Sequence, residues 1–143
     1  MNLKHIFRRL TATDIEALER LSERMTLQAG TELITEGKYN DYLFVIDDGV
    51  VRLSKDLEGT SIDIGELSEG EVFGEISFAD GAPPSATVST ETEVRLIRLR
   101  ISAIRELAKA KPEFGANLYH SIAASLATRL REATERFASQ AMT

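Results

Sequence analysis

The chain has 143 residues, no cysteine and a formal net charge of −6. This length is enough for one domain with a substantial core, and the lack of cysteine excludes both a disulfide framework and a thiolate metal site. The acidic balance disfavours nucleic acid as the main partner, because binding to phosphate backbones needs a cationic surface. The opening MNLKHIFRRLTATD has no apolar run long enough for a signal peptide or a membrane span. We expect a single cytoplasmic domain over 1–143 without membrane association.

The first predicted element is a helix within residues 1–29. Four apolar residues recur at steps of three and four, so they share one face of a helix. They are Ile15, Leu18, Leu21 and Met25. Thr13 is followed three residues later by Glu16, a spacing that predicts a capping box at the start of this helix.

Residues 30–100 are predicted to form the β section. Glycines separate short apolar runs along this stretch, a pattern typical of an antiparallel β sandwich or barrel. In YLFVIDDGVVRLSK the pair Asp48-Gly49 divides two apolar runs and predicts a hairpin, because Gly49 can take the positive φ that such a turn requires. Glu58-Gly59 predicts a second turn of the same kind.

A final strand over residues 87–99 and two helices over 101–143 complete the predicted order. The shorter helix is predicted at 102–109, and Pro112 separates it from a longer one at about 113–138, since proline disfavours helix in the residue before it. The longer helix has apolar residues at steps of three and four, close to a coiled-coil repeat. Such a face can form a dimer seam, a lid over a ligand pocket or a surface packed on its own barrel, and its length favours a homodimer interface. These residues are Leu118, Ile122, Leu126, Leu130, Ala133 and Phe137.

This order of elements resembles the cyclic-nucleotide-binding domain of the Crp/Fnr regulators, of the regulatory subunit of cAMP-dependent protein kinase and of cyclic-nucleotide-gated channels. Three segments carry the resemblance: GTELITEGKYNDYLFVIDDGVVRLSK, LSEGEVFGEISF and GAPPSATV. The resemblance implies a mainly β fold, an antiparallel jelly-roll β barrel of eight strands. It also implies an N-terminal helix and a long C-terminal dimerisation helix around this barrel.

The resemblance further implies a ligand site in the cassette formed by the second and third segments. Gly74 has no side chain, so backbone N–H groups there can approach an anion. The carboxylate of Glu75 is implied as acceptor for a ribose 2′-hydroxyl, and Ser85 with the N–H of Ala86 as donors to a phosphate. Secondary candidates are Ile76, which follows Glu75, and Arg129 and Thr134, which are implied on the base side of the site.

Position 84 departs from the resembled family. Members that bind cAMP or cGMP carry an arginine before the Ser-Ala-Thr-Val run, whereas this chain has Pro84. Proline supplies neither a charge nor a backbone N–H, and losing a charge-assisted contact to a phosphate costs about 1.5–5 kcal/mol. A cation could reach the site from elsewhere in the fold, and four candidates are considered. They are Arg52, Arg95, Arg98 and Arg129.

Two functions stay open on this reasoning. One is a homodimeric, non-catalytic sensor of a small anionic ligand, such as a cyclic nucleotide or another nucleotide. The other is a ligand-free interaction module that dimerises and regulates a protein partner. The sequence has no nucleophile triad, P-loop or metal-ligand spacing, which argues against an enzyme. Direct DNA binding is not expected, because residues 139–143 supply no recognition helix. Both a complete small protein and a fragment of a longer regulator are compatible with the sequence.

Overall fold

The computed structural model describes residues 3–142, which contain five helices and eight strands. In chain order these are α1 (Leu3–Ile6), α2 (Ala12–Leu21), β1 (Ser22–Leu27), β2 (Glu32–Ile34), β3 (Tyr42–Asp48), β4 (Val51–Leu57), β5 (Thr60–Leu67), β6 (Val72–Phe73), α3 (Glu75–Asp80), β7 (Thr87–Thr90), β8 (Val94–Arg100), α4 (Ile101–Ala110) and α5 (Pro112–Ala141).

The strands form two four-stranded antiparallel sheets, which we call sheet A and sheet B. Sheet A has the order β1-β8-β3-β6 and sheet B has the order β2-β7-β4-β5. The predicted mainly β, jelly-roll fold with flanking helices is therefore confirmed. Within the described residues no strand of sheet A pairs with a strand of sheet B, so the sheets form an open sandwich and not a closed barrel.

Strand β3 is buried on both faces and separates two layers of the core. Leu43 and Val45 belong to the cluster that joins sheet A to the helices. Phe44 and Ile46 belong to the cluster between the two sheets, where the rings of Phe44 and Phe73 stack with centroids 4.7 Å apart. Because successive side chains of a strand point to opposite faces, one uninterrupted apolar run supplies both layers.

The predicted hairpin across Asp48-Gly49 is wrong, because β3 lies in sheet A and β4 lies in sheet B. Gly49 does have a positive φ of 103°, and a Cβ at this position would collide with the carbonyl oxygen of Glu93. The backbone N–H of Glu91 donates to the carbonyl oxygen of Val50 at 2.9 Å. The chain therefore crosses between the sheets at this turn, against a neighbouring segment that also crosses.

That neighbouring segment divides the strand predicted over residues 87–99. Its first part, β7, pairs with β2 and β4 in sheet B, and its second part, β8, pairs with β1 and β3 in sheet A. The turn predicted at Glu58-Gly59 is present: φ is 53° at Glu58 and 85° at Gly59, and the turn joins the paired strands β4 and β5.

The N-terminal helical segment is shorter than predicted. Helix α2 ends at Leu21, and the chain continues as β1, in which Met25 lies opposite Leu96 of β8. The alternation of Met25 and Leu27 with polar residues suits a strand, and pairing with the edge of β8 outweighs the helical spacing. The cap is also placed two residues earlier than predicted, since the hydroxyl oxygen of Thr11 accepts from the N–H of Asp14 at 3.1 Å.

Helix α5 has 30 residues, and its buried residues lie in its first half. Leu118 and Ile122, two members of the predicted dimer seam, are buried in the core of their own chain. Leu130 and Phe137 are 68% and 75% exposed. The part of the seam available to a partner therefore starts after Ile122. Among residues 3–142, none of the helices combines the length and apolarity that crossing a membrane requires.

Candidate functional site

A cavity of ≈ 340 Å³ lies between α3, the 81–86 loop, sheet B and α5. Six of the seven ligand-binding candidates named from the sequence line it: Gly74, Glu75, Ile76, Ser85, Ala86 and Arg129. Thr134 does not line it, and its exposed hydroxyl donates to the carbonyl oxygen of Leu130 on its own helix at 2.8 Å. The structure thus brings the cassette and one turn of the long helix to a single site.

Gly74 lets the cassette approach β3 closely. It precedes α3 with a φ of 87°, a left-handed conformation that glycine adopts without a steric penalty. A Cβ at this position would lie 2.5 Å from the carbonyl oxygen of Tyr42, which also accepts a hydrogen bond from Nδ2 of Asn40 at 2.6 Å. The backbone alone therefore requires a glycine here.

The 81–86 loop is held by hydrogen bonds to its carbonyl oxygens, from a side chain of β4 and from the backbone of the turn after β2. The carbonyl oxygen of Pro84 accepts from the N–H of Gly37 at 2.9 Å. The carbonyl oxygen of Ser85 accepts from Nζ of Lys55, also at 2.9 Å, and Lys55 forms an ion pair with Glu36. These ties position the loop without a ligand, and sequence reasoning did not identify Lys55 or Glu36.

Glu75 forms an ion pair with Arg129 of α5. The carboxylate oxygen Oε1 of Glu75 accepts from Nη1 of Arg129, and Glu75 is only 3% exposed. Burial raises the pKa of Glu75, while the charge of Arg129 lowers it, and the effect of burial is the larger. Nη2 of Arg129 is buried and has no hydrogen-bond partner among the described residues. The guanidinium therefore donates to Glu75 through Nη1, while its Nη2 donates to no group among the described residues.

The other three arginine candidates do not line the cavity. Each forms an ion pair elsewhere: Arg52 with Glu91, Arg95 with Asp48, and Arg98 with Glu23. Among residues 3–142, Arg129 is the only cationic side chain that lines the cavity. It is the candidate that could take over from the arginine missing at position 84.

Most of the cavity wall is aliphatic, and sequence reasoning missed this wall. Ile34, Leu53, Ile64 and Val88 contribute from four strands of sheet B. Leu126 and Leu130, which the sequence assigned to the dimer seam, line the cavity from α5. The four-residue step from Leu126 to Leu130 indicated an apolar helix face, but it did not indicate which surface that face would meet.

Comparison with known proteins shows the family to which the chain belongs. Residues 24–111 match the family model described as cyclic nucleotide-binding domain. The chain belongs to the cyclic nucleotide-binding domain family. The match includes the cassette residues, while the whole of α5, with Arg129, lies outside the matched range.

Relatives of this cyclic nucleotide-binding domain come from regulators and channels. It is 27% identical over 93% of its length to the CRP-like cAMP-activated global transcriptional regulator of Mycobacterium tuberculosis, of which the match covers 58%. It is 34% identical over 76% of its length to a cyclic nucleotide-gated potassium channel of Rhizobium etli, of which the match covers 29%. The chain therefore spans less than two thirds of the length of these relatives.

Solved structures agree with the fold. A cyclic nucleotide-binding domain from Methylobacillus flagellatus superposes with a TM-score of 0.87 at 24% identity, covering 95% of this chain and 80% of that one. The catabolite activator protein of Thermus thermophilus superposes with a TM-score of 0.74 at 26% identity, covering 95% of this chain and 62% of that one. At 24% identity, the likeness to the Methylobacillus flagellatus domain shows the fold alone.

The cavity fits a cyclic nucleotide only in part. Gly74, Glu75, Ser85 and Ala86, the four residues for which the family resemblance implies a ligand contact, all line it. Pro84 also lines it, and it brings neither a charge nor an N–H group. A bound phosphate would have to find its cation in Arg129, which is already paired with Glu75.

Replacement of Gly74 tests the close approach to β3. We expect Gly74→Ala to lower the free energy of unfolding by about 2–4 kcal/mol, because a left-handed alanine is strained and its Cβ overlaps the carbonyl oxygen of Tyr42. Gly81→Ala is the matched control at the other end of α3, where φ is also positive but a Cβ meets nothing within 4 Å. We expect it to cost roughly 1 kcal/mol. Equal losses in urea unfolding would contradict the steric role of Gly74.

The pH dependence of stability tests the environment of Glu75. Its pKa in the folded state lies above the ordinary value of 4.5, so its contribution to stability is full below that value and is lost as the pH rises through the folded-state pKa. The free energy of unfolding of the wild type relative to Glu75→Gln should therefore fall as the pH rises from below 4.5 towards neutrality.

Glu36→Gln serves as the control with the opposite sign. The backbone N–H of Asp56 lowers the pKa of Glu36, so the wild type should gain stability relative to this variant as the pH rises. Urea unfolding of the three proteins at a series of pH values measures both slopes. A rising slope for Glu75 would mean that Arg129 outweighs burial.

Proposed function

We propose that this domain is a non-catalytic, ligand-sensing regulatory module that works in the cytoplasm as a homodimer. The observation that carries the proposal is the ion pair between Glu75 and Arg129, because one partner lies in the cassette and the other on α5. A ligand in the cavity must contact both elements. Its arrival can therefore change how α5 packs on the domain, which is how a sensor transmits binding.

The lining of the cavity supports this coupling. Leu126, Arg129 and Leu130 occupy one face of α5 and form one wall, and Ile76 of α3 lines the cavity with them. Beyond Leu130 the helix continues for three more turns in which every described residue is exposed. A shift of α5 at the cavity would reach a surface that is free to meet a partner.

A cyclic nucleotide is the first ligand to test, because relatives are named as cAMP-activated or cyclic nucleotide-gated. In this cavity Glu75 would accept from the ribose hydroxyl, and Ser85 with the N–H of Ala86 would donate to the phosphate. Arg129 would have to serve the phosphate while remaining near Glu75. We therefore expect weaker binding than in a domain with a cassette arginine.

Titration calorimetry with cAMP, cGMP and a cyclic dinucleotide tests the missing cation. We expect Pro84→Arg to bind at least one of them about tenfold more tightly than the wild type, because a guanidinium then faces the phosphate. Pro83→Arg is the matched control, since Pro83 is exposed and does not line the cavity. If Pro83→Arg gains as much, the effect is non-specific attraction of an anion. If the wild type and Pro84→Arg both fail to bind, the cassette does not act as a nucleotide site.

The exposed half of α5 is the surface proposed for dimerisation. The helix is about 45 Å long, and Leu130, Ala133 and Phe137 are exposed beyond its buried part. Exposed large apolar side chains along one helix are typical of an interface with another helix. Leu126 is half-buried at the boundary between the cavity and this surface.

Sedimentation equilibrium tests the dimer. We expect a dimeric wild type and a dissociation constant at least tenfold higher for Phe137→Asp, because a charge would enter an apolar contact. Ser139→Asp introduces the same charge two residues further along, on another face of the helix, and should leave the constant unchanged. Circular dichroism checks that both variants keep their helix content. A monomeric wild type would show that the homodimer proposal is wrong.

A second candidate function follows from Pro84 and from the pairing of Glu75 with Arg129. Both features take away groups that a cyclic nucleotide needs, so the domain could have kept the fold and lost the ligand. It would then act as an interaction module that regulates a protein partner through α5. Thermal unfolding separates the two candidates, because a ligand that binds only the native state raises the melting temperature.

A further inference from the structure

The chemistry of the cavity wall indicates what kind of molecule it suits. Aliphatic or other apolar side chains form most of the wall, and the polar side chains are few. The apolar residues are Ile34, Leu53, Ile64, Phe73, Ile76, Pro84, Ala86, Val88, Leu126 and Leu130. A wall of this kind favours a ligand with an apolar body, since it offers few partners to polar groups taken out of water.

The mouth of the cavity is apolar as well. Ile64, Ile76 and Leu130 line the cavity and are 48%, 45% and 68% exposed. Large apolar side chains left in water beside a cavity mark a binding surface more often than side chains scattered singly. A ligand that covered these three side chains would gain from removing them from water.

One charged group in the cavity still needs a partner. Arg129 is the only cation in the wall among the described residues. Its Nη2 has no hydrogen-bond partner and is closed to water, so a ligand would reach it only after the guanidinium turned towards the cavity. A buried donor without an acceptor destabilises the state that contains it, so an acceptor supplied by a ligand would be favoured. The planar guanidinium matches the two oxygens of a carboxylate.

The pairing of Glu75 with Arg129 disfavours a ligand that carries several hydroxyl groups. Its carboxylate is engaged by Arg129 and is nearly fully buried, so a ligand with several hydroxyl groups would have to break this ion pair to use it. A ligand with one anionic group and no hydroxyl groups needs only the guanidinium of Arg129, which it would share with Glu75. Ser77 and Ser85 are the remaining polar side chains of the wall.

We propose that the cavity binds an amphipathic monocarboxylate, of the medium-chain fatty acid class, with the carboxylate on Arg129 and the hydrocarbon chain along the aliphatic wall of sheet B. This inference rests on the proposed ligand-sensing function and names its ligand class. The exposed side chains of Ile64 and Ile76 would lie beside the bound molecule at the mouth of the cavity. Because Arg129 lies on α5, a carboxylate bound to it would join this helix to sheet B through the ligand.

Titration calorimetry with decanoate and with decanol, each in monomeric solution, tests the proposal on the wild type. Decanol has the same hydrocarbon chain without the carboxylate, and we expect decanoate to bind about tenfold more tightly or better. Arg129→Gln should remove this preference. Arg131→Gln, an equal change of charge at an exposed position of the same helix, should keep it. If Arg129→Gln does not fold, Arg129→Lys and the comparison of the two ligands on the wild type decide the question.

The outcomes separate the ligand class from the function. A preference for decanoate that depends on Arg129 supports the proposal. Equal binding of decanoate and decanol overturns it, because the cavity would then adsorb any apolar chain. Binding of cAMP or cGMP without decanoate also overturns it and leaves the sensing function in place. If neither class binds, both the ligand class and the sensing function fail, and the interaction module remains.

Discussion

The ion pair between Glu75 and Arg129 connects the parts of this domain that matter for function. Fifty-four positions separate the two residues in the sequence, and their contact joins the cassette to the last helix. The pair lies where water is largely excluded, so removing either partner leaves the other charge poorly solvated. Apolar residues hold the first half of α5 in the core, and beyond them this ion pair is the charged contact between the helix and the cassette, beside the cavity that a ligand would occupy.

The fold shows which features of a sequence can predict a β sandwich. Glycine positions indicated where the chain turns, and the turn at Glu58-Gly59 joins two paired strands as expected. Asp48-Gly49 has the same sequence character, yet there the chain passes from sheet A to sheet B. A local turn signal specifies a change of direction, whereas the partner of each strand depends on which apolar faces meet across the whole core. The two crossings lie side by side and stabilise each other through backbone hydrogen bonds that no local pattern encodes.

In the site, too, local motifs were predictable and contacts between residues distant in sequence were not. The motif around Gly74 and Ser85 was sufficient to name five residues that line the cavity, because a motif preserves the local geometry of its own loop. The motif could not predict two other contacts. One is the ion pair between Glu75 and Arg129, and the other is the hydrogen bond from Lys55 to the 81–86 loop. Both join elements that are distant in sequence, and several arginines were equally plausible until the packing of α5 was known. The apolar step along α5 was correctly seen, but its residues divide between the core, the cavity and the exposed surface.

Helix α5 is buried at one end and exposed at the other, so a small tilt at its buried end produces a larger displacement at its exposed end. Phe114, Leu118 and Ile122 fix one end in the core, and Arg129 contacts the cassette about two turns beyond Ile122. The free arm from Ile122 to the end of the helix is roughly 28 Å long. A tilt of about 10° at the anchor would move the far end by about 5 Å, close to one helical turn. If a ligand displaced Arg129 by a small amount, the largest displacement would therefore occur at the far end of α5, away from the cavity that holds the ligand.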